Sequence, residues 1–234
     1  MTKKKRVPTR ADLDAKKEFI KDYFDERRKR LARARKLIDE EEYFLEGILV
    51  LCCHIASFSA ARFPAWQDNN GFKEILLRYS GKRGLYQKID LLFLYQWRRS
   101  KFREHGHYVA FKNYAEVKKI LFRKFGDENA IWSRKRFVSK GSIIKQVMAH
   151  RFPGLDVKNL KTSLPLFSVA EQTYRYLRCS AVHNMQFPLI SRRGYETNHL
   201  VDKALLIETA EGILNNLERE CLRQDKFPWQ LMQR

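Results

Sequence analysis

Arg178 and His183 stand with four residues between them in the segment YRYLRCSAVHN, residues 174–184. An imidazole with an ordinary pKa near 6.5 can take or give a proton at working pH. A guanidinium keeps its charge, and its planar fork matches phosphate oxygens, so it can stabilise an anion as charge develops. The pair suits a reaction in which a proton moves while an oxyanion forms. Arg175 precedes Arg178 by three residues, and Arg192 and Arg193 follow the segment. These three either bind phosphates or form a solvated basic rim. Asn184 could hydrogen-bond a substrate or cap the helix end, and Tyr174 and Tyr176 could stack a base or pack in a core or dimer contact. No metal or cofactor is expected. Cys52, Cys53, Cys179 and Cys221 form no C-x-x-C pair. Glu104, His105 and His107 have the wrong spacing and no further partner, and no Gly-rich phosphate loop or H-E-x-x-H is present.

Helical periodicity must position these groups. Apolar residues at three- and four-residue intervals predict a basic amphipathic helix from Asp12 to about Ile38, behind a loose tail over Met1 to Pro8. From Tyr43 to Phe63 the sequence is apolar on nearly every side, which belongs in the middle of a bundle. Within it, His54 reads as a satisfied core histidine, adjacent Cys52 and Cys53 as reduced core packing, and Glu46 as either an orienting partner for Arg178 or the mark of a first turn. Helices are also predicted over 72–79, 85–103, 114–125 and 142–150, with a loop over 152–165. Another helix should run from Leu166 to about Asn184, and a last one from His199 to about Arg223. The expected class is all-α, a helix bundle with a basic N-terminal helix and a helical middle insertion. Residues 1–38 form the basic tail and helix, 39–234 the main helical domain, and 104–165 could be inserted into it.

Charge narrows the partners. Lys and Arg number 47 against 27 Asp and Glu, a net charge of +20. A field of that sign attracts polyanions, so nucleic acid leads the candidates. The N-terminus has no apolar stretch of a secretory signal, and the apolar run from Gly47 to Ala61 is short of the roughly 20 residues a membrane span needs. A cytoplasmic protein with no membrane partner is the expectation.

The Arg178–His183 segment, late in a run of helices and before a Pro- and Gly-containing exit, resembles the R-x4-6-H motif of the HEPN superfamily. These helical bundles include many metal-independent ribonucleases of defence and toxin systems. The resemblance covers roughly residues 40–103 and 166–223. It implies an endoribonuclease with His183 as general acid/base and Arg178 on the scissile phosphate. The 2′-OH is the nucleophile, so products carry 2′,3′-cyclic phosphate ends and DNA is inert. It also implies a homodimer with motif helices facing across a two-fold axis, RNA as substrate, and an antitoxin or regulatory partner. One departure stands out: many active members place a polar residue directly after the Arg, where this chain has Cys179. Ser180 or Asn184 could supply that polar contact. A straight helix sets residues five apart about 140° round its axis. Arg178 and His183 therefore meet only through a kink, a long reach by Arg178, or a two-fold partner.

Two other readings remain. One is a non-catalytic HEPN-like module that binds RNA or protein, which Cys179 favours. The other is a DNA-binding regulator using the basic N-terminal helix, disfavoured by the lack of a compact helix-turn-helix pattern.

Overall fold

The computed structural model describes residues 9–96, 101–104, 107–128, 130–131, 136–150, 152–179, 182, 190–191 and 201–231. The chain is predominantly helical, an all-α architecture with three short strand pairs. The first helix, α1, runs Arg10–Asp39 and starts at a capping box in which Thr9 and Asp12 satisfy each other's backbone N–H groups. Its buried stripe is Ile20, Phe24, Leu31, Ala34 and Ile38. The apolar helix α2, Phe44–Arg62, packs between α1, α3 (Asp68–Tyr79) and the long helix near the C-terminus. By length and apolar composition α2 could cross a membrane; here its buried side chains pack against those neighbours.

After α3 the chain departs from the expected single helix over 85–103. It forms a short α4 (Arg83–Tyr86), strand β1 (Ile89–Asp90) and α5 (Leu91–Gln96). Strands β2 (Lys101–Glu104) and β3 (His107–Ala110) then pair as an antiparallel hairpin. The helical period is broken by Asp90, fully buried, which caps α5 through the Leu92 N–H at 3.0 Å and takes a two-pronged ion pair from Arg136. A buried carboxylate needs such partners, and an apolar pattern does not reveal where they come from. Next come α6 (Tyr114–Phe125), β4 (Phe137–Val138), which pairs with β1, and α7 (Lys140–Ala149). The expected loop over 152–165 instead contains α8 (Val157–Ser163), whose N-cap Asp156 accepts from the Asn159 N–H at 2.8 Å.

Two clusters of buried side chains result. One joins α1, α2, α3, α4, the segment after Val169 and the last helix, α10 (Lys203–Gln224). The other runs from Ile89 to Phe167. The chain passes into the second cluster and out of it at one place, since Ile89 bridges to Ser168 and the Val169 N–H bonds the Lys88 carbonyl at 3.0 Å. The stretch 104–165 suggested by the sequence covers only part of this cluster.

The bundle is fastened by buried polar contacts. Arg62 donates to the Tyr79 hydroxyl at 2.7 Å, and Tyr79 donates to Glu220, tying α2, α3 and α10. Two glycines allow close helix contacts. A Cβ on Gly47 would fall 2.6 Å from the Ile38 nitrogen, and one on Gly212 would fall 2.2 Å from the Ser80 carbonyl oxygen. Two smaller expectations change. Cys52 is buried, its thiol pushed up to about 12 chiefly by that burial, but Cys53 is exposed. His54 is half-buried and not a core residue; burial, with Arg27 and Arg30 nearby, holds its pKa below the ordinary value.

Gly212→Ala should destabilise the fold by about 1–3 kcal/mol, because backbone atoms of Ser80 cannot yield cheaply. Gly84→Ala, with open space around it, should be neutral or stabilising by up to about 1 kcal/mol; chemical denaturation measures both. A histidine whose folded pKa is lowered contributes stability above its unfolded pKa, and that stability is lost as pH falls through the folded value. Unfolding free energy should therefore drop below about pH 6.5, with a smaller slope in His54→Gln.

Candidate functional site

The segment carrying the candidate residues is not one regular helix. A 3₁₀ turn, Leu164–Phe167, leads to Ser168, whose hydroxyl accepts from the Glu171 N–H at 3.2 Å and caps α9, Val169–Gln172. From Thr173 to Arg178 the winding changes to a π-helix. Its i→i+5 register is visible where the Cys179 N–H bonds the Tyr174 carbonyl. Thr173 sits at the junction, and its hydroxyl donates to the Val169 carbonyl at 2.7 Å. Such side-chain back-bonding loosens the regular ladder. The π turn changes the aim of the side chains at its end, Arg178 included. The kink weighed near His183 falls outside the described residues; the irregularity seen lies one turn earlier and bears on Arg178.

Arg178 is seated on α3. Its Nη2 lies 2.9 Å from Asp68 Oδ2, and its guanidinium carbon lies 5.6 Å from the centre of the Tyr174 ring. Nη1 approaches the Cys179 sulfur at 3.9 Å. Tyr174 completes the arrangement by donating from its hydroxyl to Asp68 at 3.1 Å and packing against Phe72, ring centres 5.6 Å apart. The Arg178 side chain is 17% exposed, and its Nε is buried with no hydrogen-bond partner among the described residues. Burial pulls the guanidinium pKa down, but the Cys179 contact and the Asp68 carboxylate outweigh this and leave it above the ordinary value. Burial, with Cys179 and Asp68, also pushes the Tyr174 hydroxyl up, so it remains a donor.

A second tie lies one turn before. Glu171, 5% exposed at its side chain, takes Lys73 of α3 at 2.7 Å and also pairs with Arg175. Two cations around one buried carboxylate offset its desolvation. Arg175 and Arg178 therefore rest on different acids, Glu171 and Asp68. Lys73 and Glu171 also line a cleft of about 820 Å³, together with Trp66, Glu74, Gln87 and Lys140. Cations, a ring and amide groups meet there beside the motif segment.

His183, Ser180, Asn184, Arg192 and Arg193 lie outside the described residues, as does the Tyr176 side chain. Of the motif-segment side chains singled out in the sequence, Tyr174, Arg175, Arg178 and Cys179 are the ones the structure places. Tyr174 packs on Phe72 and donates to Asp68. Glu46 is exposed in the first turn of α2; the carboxylate on Arg178 is Asp68. Sequence reasoning missed both Asp68 and Glu171. An acid in the first turn of a predicted helix could have flagged Asp68, although that signal alone reads as macrodipole compensation. Among the described residues no group of His, Cys, Asp or Glu is placed to hold a metal ion.

The two carboxylates should differ in what their loss does. Glu171→Gln leaves two cations without their buried acid and should destabilise by about 2 kcal/mol, a value discounted because both cations are partly solvated. Asp68→Asn, at a half-exposed position, should cost under about 1 kcal/mol; thermal unfolding of both variants makes the comparison. No protein-family model matches the chain, and neither a curated protein nor a solved structure matches it.

Proposed function

We propose that the protein is a metal-independent endoribonuclease of the HEPN type, acting through Arg178 and His183. The observation that carries this reading is the state of the Arg178 guanidinium. One edge of it bears two donors, Nη2 and Nε. Asp68 takes Nη2, and Nε is left buried without an acceptor among the described residues. An unsatisfied buried N–H costs about 1–3 kcal/mol, and such groups call for a partner. Two phosphate oxygens fit that edge in the bidentate manner guanidinium favours. A scissile phosphate taking the place of Asp68 would meet a charge that is already formed and already aimed, which is how a preorganised site stabilises a transition state.

His183 supplies the proton transfer. As base it takes the 2′-OH proton while that oxygen attacks phosphorus, and as acid it returns a proton to the departing 5′-oxygen. The bonds formed and broken leave a 2′,3′-cyclic phosphate and a 5′-hydroxyl. The chain's positive charge draws RNA in, and Arg175, Arg192 and Arg193 add phosphate contacts, with Ser180 and Asn184 as polar support. A homodimer facing its motif segments across a two-fold axis would bring two such pairs to one groove. A catalytic domain of this kind would act in the cytoplasm as a defence or toxin effector, held in check by an antitoxin or regulatory protein.

The Asp68–Arg178 ion pair favours a second reading, a HEPN-like module that binds RNA or protein without cleaving it. There the carboxylate and Cys179 leave the guanidinium a structural pin. Labelled RNA and matched DNA incubated in EDTA separate the two. Cleavage of RNA alone, reduced at least about 100-fold in both Arg178→Ala and His183→Ala, supports the nuclease. RNA bound without product, equally well by wild type and His183→Ala, supports the binding module.

A further inference from the structure

Far along the chain from the motif, the described residue with the most exposed large apolar side chain is Phe19, at 67%, followed by Trp229 at 50%. Trp229 belongs to the 3₁₀ turn Pro228–Gln230 and lies flat on Phe227, with ring centres 4.8 Å apart and planes at 5°. Tyr23 of α1 meets Trp229 edge-on at 5.8 Å and Phe227 at 6.3 Å. Tyr23 reaches both rings, yet the indole is still half-exposed, and water on an indole face is unfavourable.

The surface beside this stack is basic. At 100° per residue, Phe19, Tyr23, Arg27 and Arg30 fall on one flank of α1, next to its buried stripe. Several α1 cations are neutralised within the molecule, Lys17 by Asp225, Arg28 by Asp25 and Glu218, and Arg30 of this flank by Glu26. Arg27 has neutral neighbours instead: its guanidinium lies over the Tyr23 ring at 5.1 Å and donates to the Ser57 hydroxyl at 3.0 Å. Lys226 directly precedes Phe227 in the chain.

We infer that this flank is a platform for single-stranded RNA, with bases stacked on Trp229 and Phe19 and phosphates running along the Arg27 and Lys226 side. Charge complementarity selects the occupant. A chain of net charge +20 repels a second basic surface and attracts a polyanion. Single strands offer free base faces for stacking, whereas a duplex keeps its bases stacked on one another. The inference takes RNA as the ligand from the proposed function and names its form, but it does not need cleavage.

The experiment uses a 12-nucleotide single-stranded DNA as a non-cleavable probe, the matching RNA, and the duplex of the same sequence. Single strands should quench tryptophan fluorescence, and most of that quenching should vanish in Trp229→Phe. Trp229→Ala with Phe19→Ala should weaken single-strand binding about tenfold or more, with the melting temperature nearly unchanged. Lys226→Gln should lower the dependence of log K on log salt by about one unit. His183→Ala should bind and quench like wild type, so a failed nuclease assay leaves this platform standing. Binding without quenching, or affinity unaltered by Trp229→Ala, overturns it. So does a change of oligomeric state in Trp229→Ala, which would make this face a contact between copies of the chain.

Discussion

Everything around the motif depends on the seam between α3 and the segment from Glu171 to Arg178. Asp68 takes Arg178, Phe72 meets the Tyr174 ring, and Lys73 takes Glu171. Acid, ring and base on α3 face base, ring and acid on the opposing segment, so charge is paired at both ends with an aromatic contact between. The two ion pairs differ in character. Asp68 is half in water, where an ion pair contributes little to stability and can be exchanged for another anion. Glu171 is buried, where a lost partner is costly. One end of the seam is a fixed anchor and the other can be opened, an arrangement that suits the phosphate contact proposed for Arg178.

The π turn fits the same constraint. The seam fixes Glu171 and Arg178 against a regular α3, and the wider i→i+5 winding between Thr173 and Arg178 is what brings both into register with it. Wider turns of this kind are rare and favour positions where a side chain must be aimed. Below them, α2 supplies the apolar floor, and its close approach to α1 at Gly47 keeps the bundle tight.

Positive charge is distributed unevenly between structure and surface. Part of it is consumed inside the molecule: Arg62 in the Tyr79–Glu220 knot, Arg136 on Asp90, Arg35 on Glu211 and Lys203 on Asp39. Cations with no acid partner among the described residues, such as Arg27 over the Tyr23 ring, are left to attract a polyanion.

The sequence by itself determined the helical class, the long basic first helix, the buried α2 and helices such as α6, because apolar period and terminal signals are local. Thr9 and Asp12 announce the start of α1, and Gly126 at φ +91 closes α6. It misjudged 85–103 and 152–165. There an apolar period hid the buried Asp90–Arg136 pair, and the turn residues Pro153, Gly154 and Pro165 masked a short helix capped by Asp156. The motif Arg was legible as a residue type, but its partners were not. Asp68 and Glu171 act across pairs far apart in the chain, and a single sequence carries no signal of which carboxylate will meet which guanidinium. Only packing α3 against the motif segment decided that, because ion pairing and desolvation depend on distance and burial, which arise when the helices are assembled.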